Sequence, residues 1–148
     1  MNIHDYWAFK GKYTMRPVQE KILNEITDAL KKGYTNIILE AGTGIGKSAI
    51  AVTLANMMGT SYILTMTTQL QQQYINDFHN IPGLAQVKGR RHYDCIMNNY
   101  SCDEGMCQTQ EDFDCFSEAD CNYLTARTEA IDSRICLTNY DYLYYVGN

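Results

Sequence analysis

Two groups of residues in this chain combine types and spacing that chemistry can use. The first is the run A-G-T-G-I-G-K-S over residues 41–48. Gly42, Gly44 and Gly46 let the backbone curl until several N–H groups face one anion. Lys47 can set its ammonium on β and γ phosphates, and the Ser48 hydroxyl can ligate Mg²⁺. The helix expected to start here presents its positive dipole end to the same charge. This is the chemistry of a nucleoside triphosphate. ATP and Mg²⁺ are the expected ligands, Lys47 and Ser48 the catalytic candidates, and Ala41, Gly42, Thr43, Gly44, Ile45 and Gly46 the cradle. Ala41 stands where such loops usually carry their first glycine. The second group is Cys95, Cys102, Cys107, Cys115, Cys121 and Cys136, five of them in one short stretch. Beside an ATP-type loop and with no secretory signal, clustered thiols hold metal more often than they form disulfides. A four-thiolate site takes zinc or an iron–sulfur cluster. No tight C-x-x-C pair of the zinc kind occurs, and the wide spacing suits a cubane. Cys136 sits in an apolar run and reads as a small core residue. Spacing alone does not choose between Cys102 and Cys107.

The elements that must hold these groups follow from periodicity. Arg16-Pro17 opens a helix, with Pro17 near its first position. Val18, Ile22, Ile26 and Leu30 recur every fourth residue and mark its apolar face. Residues 36–40, N-I-I-L-E, read as the strand leading into the glycine loop, and residues 49–58 as the helix leading out. Residues 61–67 read as a second buried strand, 68–79 as a helix and 84–88 as a short strand. Strands alternating with helices imply a parallel α/β sheet. From residue 89 to 121 the periodicity fails while acids and cysteines accumulate, so this stretch reads as an insertion that needs a metal staple. Order returns with a helix over 122–131, a strand over 134–138 and a helix or turn over 140–146.

Bulk properties agree with this division. The 148 residues suit one domain with a sizeable core. No segment has the length of a membrane span and none reads as a signal peptide, so a cytoplasmic protein is expected. Residues 1–92 carry ten Lys/Arg against six Asp/Glu, or +4; residues 93–148 carry two against eleven, or −9. The basic part can face phosphates, and the acidic part alone should not.

Four stretches resemble the XPD/DinG-type iron–sulfur helicases of superfamily 2. Tyr13-x-x-Arg16-Pro-x-Gln19 resembles their adenine-reading Q motif, and E-A-G-T-G-x-G-K-S over 40–48 resembles their motif I, alanine included. Lys88-Gly-Arg-x-x-Tyr-x-Cys95 is similar to the segment that brings in the first cluster cysteine. Cys121-x-Tyr-x-x-Ala-Arg127, followed by L-T-N-Y over 137–140, is similar to the last cluster cysteine and the strand before the Walker B box. The resemblance implies a RecA-like P-loop sheet, here partial, with an inserted cysteine-rich iron–sulfur domain. It divides the chain into a motor part at 1–88, the insertion at 89–125 and a return to the motor at 126–148. It implies a [4Fe–4S] cluster on Cys95, Cys107, Cys115 and Cys121, with Cys102 as the alternate to Cys107. It implies 5′→3′ translocation on single-stranded DNA, and DNA repair as a setting. Tyr13, Arg16 and Gln19 would meet the adenine.

Other residues complete the expectation. Thr68 and Gln69, beginning a helix after a strand, together with Lys88, Arg90 and Arg91, are the candidates for a DNA backbone. The tyrosines at 140, 142, 144 and 145 stack bases or cover a surface. His79 and His92 lack metal-like spacing. No Asp-Glu-x-His box occurs in the sequence, so hydrolysis is expected to need the remainder of a helicase, its second motor domain, in cis or in trans. Two rivals stand beside this reading. One is a catalytically inactive relative that binds single-stranded DNA or a helicase partner. The other is a P-loop protein with a structural zinc site.

Overall fold

Helix α1 (Pro17–Lys31) starts where the sequence places it. Pro17 occupies the first turn, where no N–H is needed, and the Arg16 N–H donates to Gln19 Oε1 at 2.9 Å. The buried face, however, is Gln19, Leu23 and Ile26. Of the expected stripe, Ile26 is buried, Ile22 and Leu30 are half-buried, and Val18 is 42% exposed. Gln19 takes an inward place because its amide bonds the Arg16 N–H and the Ile45 carbonyl, partners that hydropathy does not register.

The computed structural model describes residues 2–98, 100–110 and 121–146. It contains two compact units, Met1–Ser61 and Tyr62–Asn148. In the first, a 3₁₀ turn (Ile3–Tyr6) and α1 pack on α2 (Lys47–Met58). Leu23, Ile50 and Val52 are fully enclosed, each worth about 1.5–3 kcal/mol of transfer free energy. Thr53 bonds outward as well as along its own helix: its hydroxyl donates to the Ala49 carbonyl and accepts the Ala8 N–H. The strand expected at residues 36–40 is not formed. That stretch has no regular structure, and Ile38 is 96% exposed. A strand needs a neighbour to take its N–H and C=O groups. Among the described residues none pairs with it.

The second unit is built on β3 (Ile135–Asn139), all five of whose residues are buried. It lies between β1 (Ser61–Thr65) and β2 (Leu84–Gln86) in a three-stranded sheet, with Leu84 opposite Ile135 in a parallel register. Helices α3 (Thr68–Phe78), α5 (Asn122–Asp132) and α6 (Tyr140–Val146) pack against β3, and α4 (Met106–Thr109) is a single turn. Gln71 of α3 is fully buried and donates to the carbonyls of Val87 and Leu137, which fastens the helix to the strand ends. The α/β class and the small parallel sheet fit a RecA-like helicase domain.

Candidate functional site

The glycine loop takes the curled form that its composition demands. Gly44 and Gly46 have φ of +79° and +88°, and Gly46 caps α2. A Cβ on Gly46 would lie 2.6 Å from Gln19 Nε2, so conformation and packing both require glycine there. Lys47 folds over its own loop and donates from Nζ to the carbonyls of Ala41 (2.9 Å) and Gly42 (3.0 Å). Ser48 follows in the first turn of α2. Thr43 is exposed.

Arg16 and Gln19 are brought onto this loop. Arg16 Nη2 donates to the carbonyls of Gly44 (2.9 Å) and Ile45 (2.8 Å), and Gln19 Nε2 donates to Ile45 at 2.8 Å. Gln19 thereby uses one lone pair of its oxygen and one hydrogen of its nitrogen, and keeps one of each. On their other side these two residues line a cavity of about 360 Å³ with Trp7, Phe9, Tyr13 and Thr14. Phe9 meets Tyr13 edge to face at 5.3 Å and Trp7 at 6.0 Å, while the Trp7 indole N–H donates to the Tyr13 carbonyl. The motif-based reading found Tyr13, Arg16 and Gln19 but missed Trp7 and Phe9. Their signal was available: two aromatics within ten residues of an Arg-Pro-x-Gln helix start. The cavity has flat apolar walls and one amide with spare donor and acceptor capacity, which is what a planar heterocycle needs.

Residues 12–145 match the family of the type III restriction enzyme, res subunit (ResIII). The chain belongs to that family. ResIII is a family of superfamily 2 helicase N-terminal domains, which use ATP and Mg²⁺. The superfamily expected from the motifs is therefore established, and the iron–sulfur subtype is not distinguished at this level. No curated protein and no solved structure matches the chain significantly.

In the second unit of this ResIII chain, residues 93–95 and 100–102 meet through an isolated antiparallel bridge. Asp94 bridges Ser101, Cys95 N–H donates to the Tyr100 carbonyl, and Cys102 N–H donates to the Tyr93 carbonyl. This pairing brings Cys95 and Cys102 into one cluster. Cys121, just before α5, completes a buried set with them, packed on Val87, Tyr123, Ala130 and Cys136. Burial and the neighbouring Cys121 and Cys95 push the Cys102 thiol up to about 11. Gly105 closes the nest, since a Cβ there would lie 3.3 Å from Cys95 Sγ. Cys107 stands apart on α4, half-exposed, and Cys115 lies outside the described residues. Among the described residues no three metal-ligating groups stand in coordinating geometry. Thiols are the donor type that a thiolate centre takes, and Cys95, Cys102 and Cys121 share this buried cluster.

A groove of about 560 Å³ is lined by Thr67, Thr68, Arg90, Arg91, His92 and Tyr145, and by Asp103 and Asp141 as well. Burial and the charges of Arg91 and Lys88 hold the His92 imidazole below its usual range. Of the five residues expected to meet DNA, the structure brings Thr68, Arg90 and Arg91 together here. Gln69 is exposed elsewhere on α3, and Lys88 bonds through Nζ to Gln72 instead. No described helix is long and apolar enough to cross a membrane.

Proposed function

We propose that the chain is the ATP-binding, thiolate-cluster-bearing N-terminal portion of a 5′→3′ DNA helicase of the XPD/DinG type. The observation that carries the nucleotide half is the union, in one unit, of an aromatic cavity, the Arg16–Gln19 clamp and the glycine loop. Base and triphosphate then meet adjoining surfaces. Lys47 would leave the carbonyls of Ala41 and Gly42 for the phosphates, an exchange of neutral acceptors for charged ones that favours binding. Ser48 would hold Mg²⁺, whose charge neutralises the β and γ oxygens.

The thiol nest supports the cluster. Cys95, Cys102 and Cys121 would hold it, with the fourth position from Cys107 or Cys115; bound there, a [4Fe–4S] centre staples a segment that has little apolar core of its own. Single-stranded DNA would follow the groove, with Thr68, Arg90 and Arg91 on its backbone. The acidic pair that orients water is absent from the 148 residues. Turnover would need such a pair to orient the attacking water.

The test is nucleotide binding by the full chain. A fluorescent ATP analogue with Mg²⁺ should bind, and Lys47→Ala should weaken it at least about tenfold, the value of one charge-assisted contact. An unchanged affinity in Lys47→Ala would sink the reading.

A further inference from the structure

Four features of the second unit meet at one residue. Tyr123 is buried, and it packs in the same apolar cluster as Cys95, Cys102 and Cys121. Its ring lies under the Arg90 guanidinium, 4.4 Å from Cζ to the centroid. Its hydroxyl bonds the Tyr142 hydroxyl at 3.2 Å, and Tyr142 is on the groove. Its edge meets Tyr93 at 5.8 Å, and the Tyr93 hydroxyl accepts the Lys88 N–H at the end of the segment that follows β2. A residue that only filled space would need none of the polar contacts, and phenylalanine would serve.

We propose that Tyr123 is a positioning residue that couples the thiol nest to the cationic wall of the groove, holding Arg90 and Tyr142 ready for a single-stranded nucleic acid. The proposal rests on the groove reading above and deepens it. The physical argument concerns order. A free arginine side chain carries about 2 kcal/mol of rotamer entropy that phosphate binding must remove. Cation–π attraction to the Tyr123 ring removes part of it beforehand and consumes none of the five N–H donors. The phenol-to-phenol bond likewise ties Tyr142 of α6 to α5. Whatever orders the Cys102 nest therefore also orders the groove, through one side chain.

The test is a mutant cycle read by anisotropy, with the full chain and a fluorescein-labelled oligothymidylate of about 12 nucleotides at low salt. Tyr123→Leu should weaken binding about threefold to tenfold. In an Arg90→Ala background the same change should cost clearly less, because the share of the effect that runs through Arg90 is already gone and only the share through Tyr142 remains. Independent, multiplying losses would overturn the proposal, since a merely structural residue behaves that way. Should Tyr123→Leu fail to fold by circular dichroism, Tyr123→Phe and Tyr142→Phe carry the test. Each should weaken binding, and the double variant should be no worse than either single one; losses that multiply overturn the proposal here too. Wild-type chain that does not bind the oligonucleotide sinks the groove reading and the proposal with it. Wild-type binding with an unaltered Tyr123→Leu sinks the proposal alone.

Discussion

Removing the Gln19 side chain should cost the chain its preference for adenine before it costs the grip on phosphate. In Gln19→Ala two hydrogen bonds go, one from the Arg16 N–H at 2.9 Å and one to the Ile45 carbonyl at 2.8 Å. Each contributes about 0.5–1.5 kcal/mol net. The Ile45 carbonyl keeps its bond from Arg16 Nη2, and Arg16 is exposed, so water can reach its N–H. The expected stability loss is about 1–3 kcal/mol, well inside the margin of a folded domain of ~5–15 kcal/mol. The base term is selective. A bidentate amide–adenine pair discriminates by about 1–3 kcal/mol, or roughly fivefold to 150-fold. Fluorescent ATP and GTP analogues should be titrated into wild type and Gln19→Ala with excess Mg²⁺, and urea unfolding run alongside. The ratio of ATP to GTP affinity should collapse toward one while GTP affinity moves by less than about threefold. Equal losses for both bases would refute the reasoning. Gln19 would then hold the loop and not read the ring.

Three other outcomes are expected. Anaerobically purified chain should carry about four irons with acid-labile sulfide, and Cys102→Ser should lose them as fully as Cys95→Ser or Cys121→Ser, because those three thiols share one nest; stoichiometric zinc, or iron retained in Cys102→Ser, contradicts this. Oligonucleotide binding should show a log–log salt slope of about −1.4, the value for two cations on a single strand, since Arg90 and Arg91 line the groove and Lys88 does not; a slope steeper than about −2 by titration would place further cations on the path. Gln71→Met should cost less stability than Gln71→Ala in urea melts. The Gln71 oxygen has no donor, while the carbonyls of Val87 and Leu137 keep other bonds from Thr138 and Val87. An apolar side chain of similar shape is then nearly neutral, and truncation costs about 1–3 kcal/mol; the reverse order would show that the amide bonds carry the site.

Where the sequence was legible, local chemistry decided the structure. Pro17, Gly46, Gly59 and the Thr67 hydroxyl, which accepts the Leu70 N–H, bound their helices within two residues of expectation. Cys136 was read as core from its apolar neighbours and is buried in β3. Legibility failed where the outcome depends on a remote partner. Residues 36–40 have every local mark of a strand, yet a strand is a property of two segments. Gln19 is buried because its partners lie at Arg16 and Ile45, invisible to hydropathy. The pairing that gathers Cys95 and Cys102 rests on bonds from their N–H groups to the carbonyls of Tyr100 and Tyr93, which no cysteine spacing announces. Trp7 and Phe9 belong to the aromatic cavity through ring geometry, and rings carry no motif.

The bare segment at residues 36–40 also governs how the protein behaves in a tube. Three large aliphatic side chains beside unpaired backbone donors and acceptors, free of proline and glycine, are the template on which cross-β stacking grows. Glu40 is the one charge within it, and at low pH even that is neutralised. Association in concentrated or acidified samples is expected to start at these five residues beside the phosphate loop, and Ile38→Lys should raise the concentration at which light scattering appears; an unchanged onset would show that it starts elsewhere.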